Sequence, residues 1–248
     1  MLDQPPLSPS HATTDRLCNI CGHEGMIVRP TREIICIGCG SHSRMRLMWL
    51  LLTRHDLLRP GLRCLHIAPE AAIAPRLHAI LGDGYEPVDV APDQYSFAPG
   101  IRHFDLVADA PALPSGAYDL ILHSHVMEHV RGNVTAVLFH LHRALKPGGK
   151  QICCIPVIRE CHYAEDLGPL ARDDAVQRFG QDDHVRIFGA RDLQATLGMI
   201  FTLPESYDLL RDHDADLLAR HGIPEVAWSG WSANSVLMLG KQDLLLRD

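Results

Sequence analysis

No apolar run in this 248-residue chain is long enough to cross a bilayer. The longest, Leu47 to Leu52, falls far short of the roughly 20 residues that a spanning helix needs. The opening "MLDQPPLSPSHATTD" has an early acid, no basic segment and no apolar stretch, so no secretory signal is expected. Its Pro, Ser and Thr content predicts a flexible tail over residues 1–15. Together these absences lead to the expectation of a cytoplasmic protein with no membrane partner. No internal repeat and no nucleic-acid stacking motif is evident. The net charge is −7 and is unevenly spread: residues 1–63 carry eight Arg against five acids, and the remainder is strongly acidic. An acidic body weighs against bulk nucleic acid, whose binding rests on neutralised phosphates. What is present is the apolar fraction of a folded globular protein, 46%, with 21% charged residues.

One further absence bears on chemistry. The stretch "LRCLHIAPE", residues 62 to 70, reads as the first strand of a nucleotide-binding sheet, with the turn signal Pro60-Gly61 before it. The loop that follows, Ala68 to Ala72, has no glycine, although such loops usually use glycine to let the backbone approach a ligand.

The eight cysteines fall into two classes. Cys18 and Cys21, then Cys36 and Cys39, form two CxxC pairs, each followed by glycine (Gly22 and Gly40). Two such knuckles supply four thiolates, the donor set of a closed, structural Zn²⁺ site. The intervening segment holds two apolar stretches around Arg29-Pro30-Thr31-Arg32, predicting a hairpin, so residues 16–43 read as a zinc ribbon. Cys64, Cys153 and Cys154 lie in apolar, strand-like runs and read as core. Cys161 lies in a more polar stretch that could border a cleft.

After the ribbon, "SHSRMRLMWLLLTRHDLLRPG" predicts a helix with a Pro-Gly stop. From residue 62 onward strands and helices alternate, with strands expected at 63–67, 85–90, 104–107, 118–123, 150–156, 200–206 and 235–240. Such alternation implies an α/β fold around a largely parallel sheet. The last strand follows "IPEVAWSGWSA" with no long helix, which favours an antiparallel strand closing the sheet edge. Trp228 and Trp231 in that connection read as packing for it.

From Cys18 to about Phe188 the chain resembles a class I S-adenosylmethionine (SAM)-dependent methyltransferase, of the methyltransferase type 11-like kind, with an N-terminal zinc ribbon. The segments that carry the resemblance are "CIGCGSHSRMRL", "LHIAPE", "HVMEHV", "LKPGG" and "FGQDDHVRIFG", in that order. The resemblance implies a seven-stranded Rossmann-like sheet with an antiparallel last strand, spanning residues 44–248, and SAM as cofactor beside a structural Zn²⁺. SAM has no phosphate, so its loop need not build an anion cradle. Residues 66–70, with His66, Ala68 and Glu70, are expected at its methionine part. Asp89, about 20 residues beyond the first loop, is placed to accept hydrogen bonds from both ribose hydroxyls, with Val90 beside it. Asp109 and Ala110 are expected near the adenine.

The fourth strand ends in "HSHVMEHV", where the methyl group should point. His123 is expected beside the cofactor, His125 as the general base, and Glu128 toward the acceptor. His129 reads as capping or packing. A metal site built from these histidines lacks a second cluster to complete it. In "RFGQDDHVRIFG", His184 is the second base candidate, and Asp183 and Arg186 are candidate acceptor contacts. The acceptor expected is a small molecule, sugar or natural product. Two other readings stand beside it. One is an RNA or protein methyltransferase that grips its substrate through the ribbon with Arg44 and Arg46. The other is a non-catalytic ribbon module on a body that no longer binds SAM. Oligomeric state and the atom methylated are not legible.

Overall fold

A computed structural model describes residues 13–246; most of the predicted N-terminal tail lies outside the described residues. The first sheet is small and antiparallel: β1 (Thr13–Leu17), β2 (Glu24–Val28) and β3 (Ile34–Cys36), in that order. The β2–β3 hairpin turns at Arg29–Glu33, as the Pro-Thr pair predicts, and Thr13 to Asp15 already belong to β1. Helix α1 (Ser43–Arg54) leads from it into the larger sheet.

The alternating segment then forms β4 (Cys64–Ile67), α2 (Ala74–Leu81), β5 (Tyr85–Asp89), β6 (Arg102–His103), α3 (Leu106–Asp109), β7 (Tyr118–Ser124), α4 (Val134–Arg143) and β8 (Leu145–Cys154). Beyond it come β9 (Val157–Ile158), β10 (Ala164–Glu165), α5 (Arg172–Phe179), β11 (Arg186–Gly189), α6 (Ala215–Arg220) and β12 (Val236–Gly240). The main sheet has six strands in the order β12-β8-β7-β4-β5-β6, parallel except for β12, which runs antiparallel to β8. Three short strands, β10-β11-β9, form a separate sheet. Strands β4 and β7 are covered on both faces, which is why their sequences run as continuous apolar stretches rather than alternating. No helix among the described residues is long and apolar enough to cross a membrane.

Two of the seven expected strands differ. The stretch at 104–107 is not a strand: β6 stops at His103, Leu106 and Val107 open α3, and the Asp105 carboxylate accepts hydrogen bonds from Val107 N and Ala108 N, capping that helix. The strand at 200–206 shrinks to one bridge, Phe201 with Leu244. Pro204 has no N–H to donate there. Next to it the Tyr207 hydroxyl accepts from Val236 N (3.0 Å) and donates to Val236 O (3.2 Å), so a side chain takes the place of a paired strand at the start of β12.

The first sheet is fastened to the rest of the chain through Arg46, whose side chain is fully buried. Its guanidinium donates to His221 O (2.6 Å), Ile34 O (2.9 Å), Gly222 O (2.8 Å) and Ser41 O. One side chain thus ties the hairpin, the second cysteine knuckle and the turn after α6. Burial lowers the group to about 10, so it stays charged at neutral pH. Replacing Arg46 with Leu removes the donor from His221 O, Ile34 O and Gly222 O, each costing about 1–3 kcal/mol where water cannot enter, while Ser41 O keeps Cys36 N (3.1 Å). Urea denaturation of Arg46→Leu should therefore show a loss of at least ~3 kcal/mol; a loss below 1 kcal/mol would contradict this role.

Candidate functional site

The order of the main sheet places a switch point between β4 and β7. The chain moves outward from β4 through β5 to β6, then returns to β7 and moves outward on the other side. Ligands of open α/β sheets sit in the crevice at the carboxyl ends of such a pair. One residue past β4 is Ala68, and one residue past β7 is His125. Both adopt left-handed backbone, with φ of 49° and 54°. This conformation costs a non-glycine residue roughly 1–2 kcal/mol. Each is held by the neighbouring strand: Ala68 N donates to Val88 O and His125 N to Cys154 O, both at 2.9 Å. The loop without glycine therefore still makes a turn of the kind glycine makes most easily. Strain held in place on both sides of a crevice is typical of a ligand site.

A cavity of about 590 Å³ opens there, within the size range of small-molecule pockets. Its wall includes Ala68, Asp89, Val90, Tyr95, Phe104 and Asp105 on the β4–β5–β6 side, and His125, His129 and Asp183 on the other. The Asp89 carboxylate is braced by Ala91 N (2.7 Å) and the Tyr95 hydroxyl (2.9 Å), one donor on each oxygen, leaving further lone pairs on both. Tyr95, Gln94, Phe104 and Asp105 were not singled out by the sequence reading. The signal for Tyr95 was its place six residues after Asp89.

Several expected site residues stand elsewhere. His66 is buried under the loop, accepting from the Tyr85 hydroxyl (2.9 Å) and donating to Glu70 Oε2 (3.0 Å). Burial pushes the Glu70 carboxyl up, but the hydrogen bond from His66, with the Arg44 charge, outweighs it and holds Glu70 below its ordinary range. Glu70 Oε1 is buried without a partner. Asp109 turns back to accept from Asp105 N (2.8 Å), and Ala110 is core, so neither reaches the wall. His123 is fully buried in β7, accepting at Nε2 from Gln151 (3.0 Å), and does not touch the cavity. The largest correction is Arg186. Its fully buried guanidinium donates to Met127 O, Gly132 O (3.0 Å) and Glu165 (2.8 Å), so it clamps the chain and is not open to an acceptor.

That clamp explains the other polar neighbours. It fastens β11 to the segment after β7, aided by Val185 N donating to Glu128 O (3.0 Å). His184 is carried against His129, ring centroids 4.6 Å apart. His125 Nε2 donates to Ala233 O (2.8 Å), so its Nδ1 bears the free lone pair, 3.6 Å from Glu128 Oε1. Burial, with the Arg44 charge, lowers His125 to about 4, so it is neutral at physiological pH. Glu128 is 2% exposed and lies behind the wall; burial pushes its carboxyl up to about 7. Arg44 Nε donates to Ser124 Oγ (3.1 Å), beside this strand end.

In the first sheet the four cysteines converge. Cys18 and Cys39 sulfurs are 3.7 Å apart and those of Cys21 and Cys36 are 3.6 Å apart, with all four within 4.8 Å. Tetrahedral thiolates at about 2.3 Å from Zn²⁺ stand about 3.8 Å from one another, so the donor set fits that ion. Cys64, Cys153 and Cys154 are core, as expected.

Comparison with known proteins agrees with the fold. A family model described as a methyltransferase domain matches residues 29–198, more than half of the chain. The chain belongs to the methyltransferase domain family. Similar solved structures include a SAM-dependent methyltransferase from Mesorhizobium loti, 19% identical with TM-score 0.46, the alignment covering 77% of this chain and 94% of that one. Another, from Archaeoglobus fulgidus, is 15% identical with TM-score 0.42, covering 78% and 91%. The trans-methyltransferase CalH, solved with SAH, is 18% identical with TM-score 0.33; 44% of this chain aligns, and it spans 39% of the CalH chain. No curated protein sequence matches the chain significantly.

Two outcomes follow from this geometry. Ala68→Gly should stabilise the protein by about 0.5–1 kcal/mol in urea denaturation, because relief of the left-handed strain exceeds the added chain entropy. A net loss would show that the loop is unstrained. Burial lowers His123 to about 3, so the unfolded chain binds a proton there that the folded chain refuses. Its contribution is complete above about pH 6.5 and is lost as pH falls toward 3. The thermal midpoint should be flat from pH 8 to 7 and drop below about 6.5, with His123→Gln showing a shallower drop; identical slopes in the two proteins would refute the assignment.

Proposed function

We propose that the cavity holds SAM and that the chain passes its methyl group to an oxygen or nitrogen nucleophile of a small molecule, sugar or natural-product acceptor. The observation that carries this reading is the braced Asp89 carboxylate, set on the wall of a cavity at the switch point between two strained turns. Asp89 retains lone pairs for two vicinal hydroxyls. Phe104, Leu106 and Val107 supply an apolar wall for a flat base. The backbone around Ala68, on the cavity wall, faces the methionine part. Bound SAM supplies an activated methyl on a sulfonium; the protein's main contribution is alignment, which can be worth roughly 7–11 kcal/mol. His125, neutral and with Nδ1 as acceptor, is the group to take the acceptor's proton, adding about 10²–10⁴-fold. His184, the second base candidate, stands behind His129 and is given no proton-transfer role.

The same reading assigns residues 16–43 to a ribbon closed by structural Zn²⁺ on Cys18, Cys21, Cys36 and Cys39, and residues 44–248 to the methyltransferase domain. Two observations favour it over the alternatives. Arg46 is committed to carbonyls and Arg44 donates to Ser124, so these two arginines are engaged within the fold rather than turned to RNA or protein. Ala68 takes the turn without glycine, so a glycine-free loop is no sign of a lost cofactor site.

Calorimetric titration of the zinc-loaded protein with SAM and with S-adenosylhomocysteine tests this directly. Micromolar binding is expected, with Asp89→Ala weakening it by about 10–100-fold, the size of lost hydrogen bonds to a charged group. No heat of binding from a folded protein would sink the enzyme reading.

A further inference from the structure

We propose a second metal site, separate from the cysteine cluster: Glu128, His129 and His184 bind a divalent transition-metal ion at the acceptor end of the cavity. Its placement at the acceptor end rests on the SAM reading, whereas metal binding itself is tested without SAM. One ligand atom from each of the three residues lies within 4.8 Å of the others. The "HVMEHV" segment alone offers two neighbours and lacks a completing group. The Arg186 clamp supplies it by carrying His184 in from a segment more than fifty residues away.

Proximity alone would not carry this, but the hydrogen bonding of each group does. His129 Nδ1 donates to Asp183 Oδ2 (3.1 Å), which leaves Nε2 unprotonated and turned to Glu128 Oε1, 3.9 Å away. His184 Nδ1 donates to Phe179 O (3.0 Å), which leaves its Nε2 as a lone pair, and that atom is buried with no partner. Glu128 is 2% exposed, yet neither carboxylate oxygen has a hydrogen-bond partner. A buried carboxylate with both oxygens unpartnered is costly in a folded protein. Here it is surrounded by two imidazole nitrogens, each held in the metal-binding tautomer by an oxygen acceptor on its far side. That is the arrangement in which carboxylates and carbonyls orient ligating histidines.

Two imidazoles and one carboxylate suit a borderline ion of the Zn²⁺, Co²⁺ or Fe²⁺ type, not a hard all-oxygen ion, and they leave coordination positions open. Of the three ligands His129 lies on the cavity wall, as does Asp183, which orients it, so the site borders the space that His125 meets. An oxygen of an acceptor, a hydroxyl or a carboxylate, is the natural further ligand.

The test is titration of Co²⁺ into the full-length protein whose cysteine site is already loaded with Zn²⁺. One further equivalent of Co²⁺ is expected, with ligand-field absorption and no sulfur-to-metal charge transfer. Glu128→Gln and His184→Ala should lose that equivalent while keeping the zinc. Asp183 is 64% exposed, so Asp183→Asn tests the site without disturbing the core; it should weaken Co²⁺ binding by about 10–100-fold. Absence of the further equivalent in the wild type, its persistence in Glu128→Gln and His184→Ala, or an unchanged Co²⁺ affinity in Asp183→Asn would each overturn the proposal.

Discussion

The crevice depends on the way the backbone leaves two adjacent strands. Ala68 after β4 and His125 after β7 both take left-handed backbone, and each is held there by a hydrogen bond to the next strand outward, to Val88 and to Cys154. Because the holding strands lie on opposite sides, the two turns diverge and open a space between them. Neither turn would persist alone, since each costs roughly 1–2 kcal/mol in a residue with a Cβ. Sheet order therefore determines where the strain sits, and the strain determines where the cavity and His125 sit.

Two buried arginines then decide what surrounds that space. Arg46 anchors the cysteine-bearing hairpin to the turn at Gly222, and the helix that contains it also bears Arg44, which reaches Ser124 at the end of β7. Arg186 fastens the short sheet to the segment after β7 and so sets His184 against His129. In both cases a charged side chain with no exposed surface is satisfied mostly by carbonyls, the geometry that a planar, multi-donor guanidinium permits and an ammonium does not. The two buried guanidinium charges are committed to architecture, and the imidazole that faces the cavity from the end of β7, His125, is neutral.

This division explains what could be read from the chain alone. The parallel order of the sheet was legible because β4 and β7 are buried on both faces and so appear as continuous apolar runs between helical segments. The cysteine cluster was legible because two knuckles at fixed spacing have few other uses. Asp89 was legible by its distance from the first loop. Arg186 was not: a polar residue in a charged loop reads as a ligand contact, and only the carbonyls of Met127 and Gly132, distant in sequence, show it to be a clamp. Likewise 104–107 looked like a strand because Leu and Val recur, but Asp105 at its head offers the backbone a helix cap instead. The strand at 200–206 failed for a related reason, since the Tyr207 hydroxyl takes the backbone groups of Val236 that a paired strand would have used.

Glu128 shows why motif residues so often mislead when taken singly. In sequence it is one polar residue among five in "HSHVMEHV", as fit for the acceptor as its neighbours. In the fold it is the most deeply buried of the acids around the cavity, lacks any hydrogen-bond donor, and faces lone pairs on His129 and His125 that cannot donate in the tautomers their other nitrogens impose. Several acceptors converging with no donor among them describe an electron-rich hollow. Such a hollow is stable only if a proton or a cation occupies it. The hydrogen bonds of His129 to Asp183 and of His184 to Phe179 pull protons outward, away from the hollow, which favours the cation.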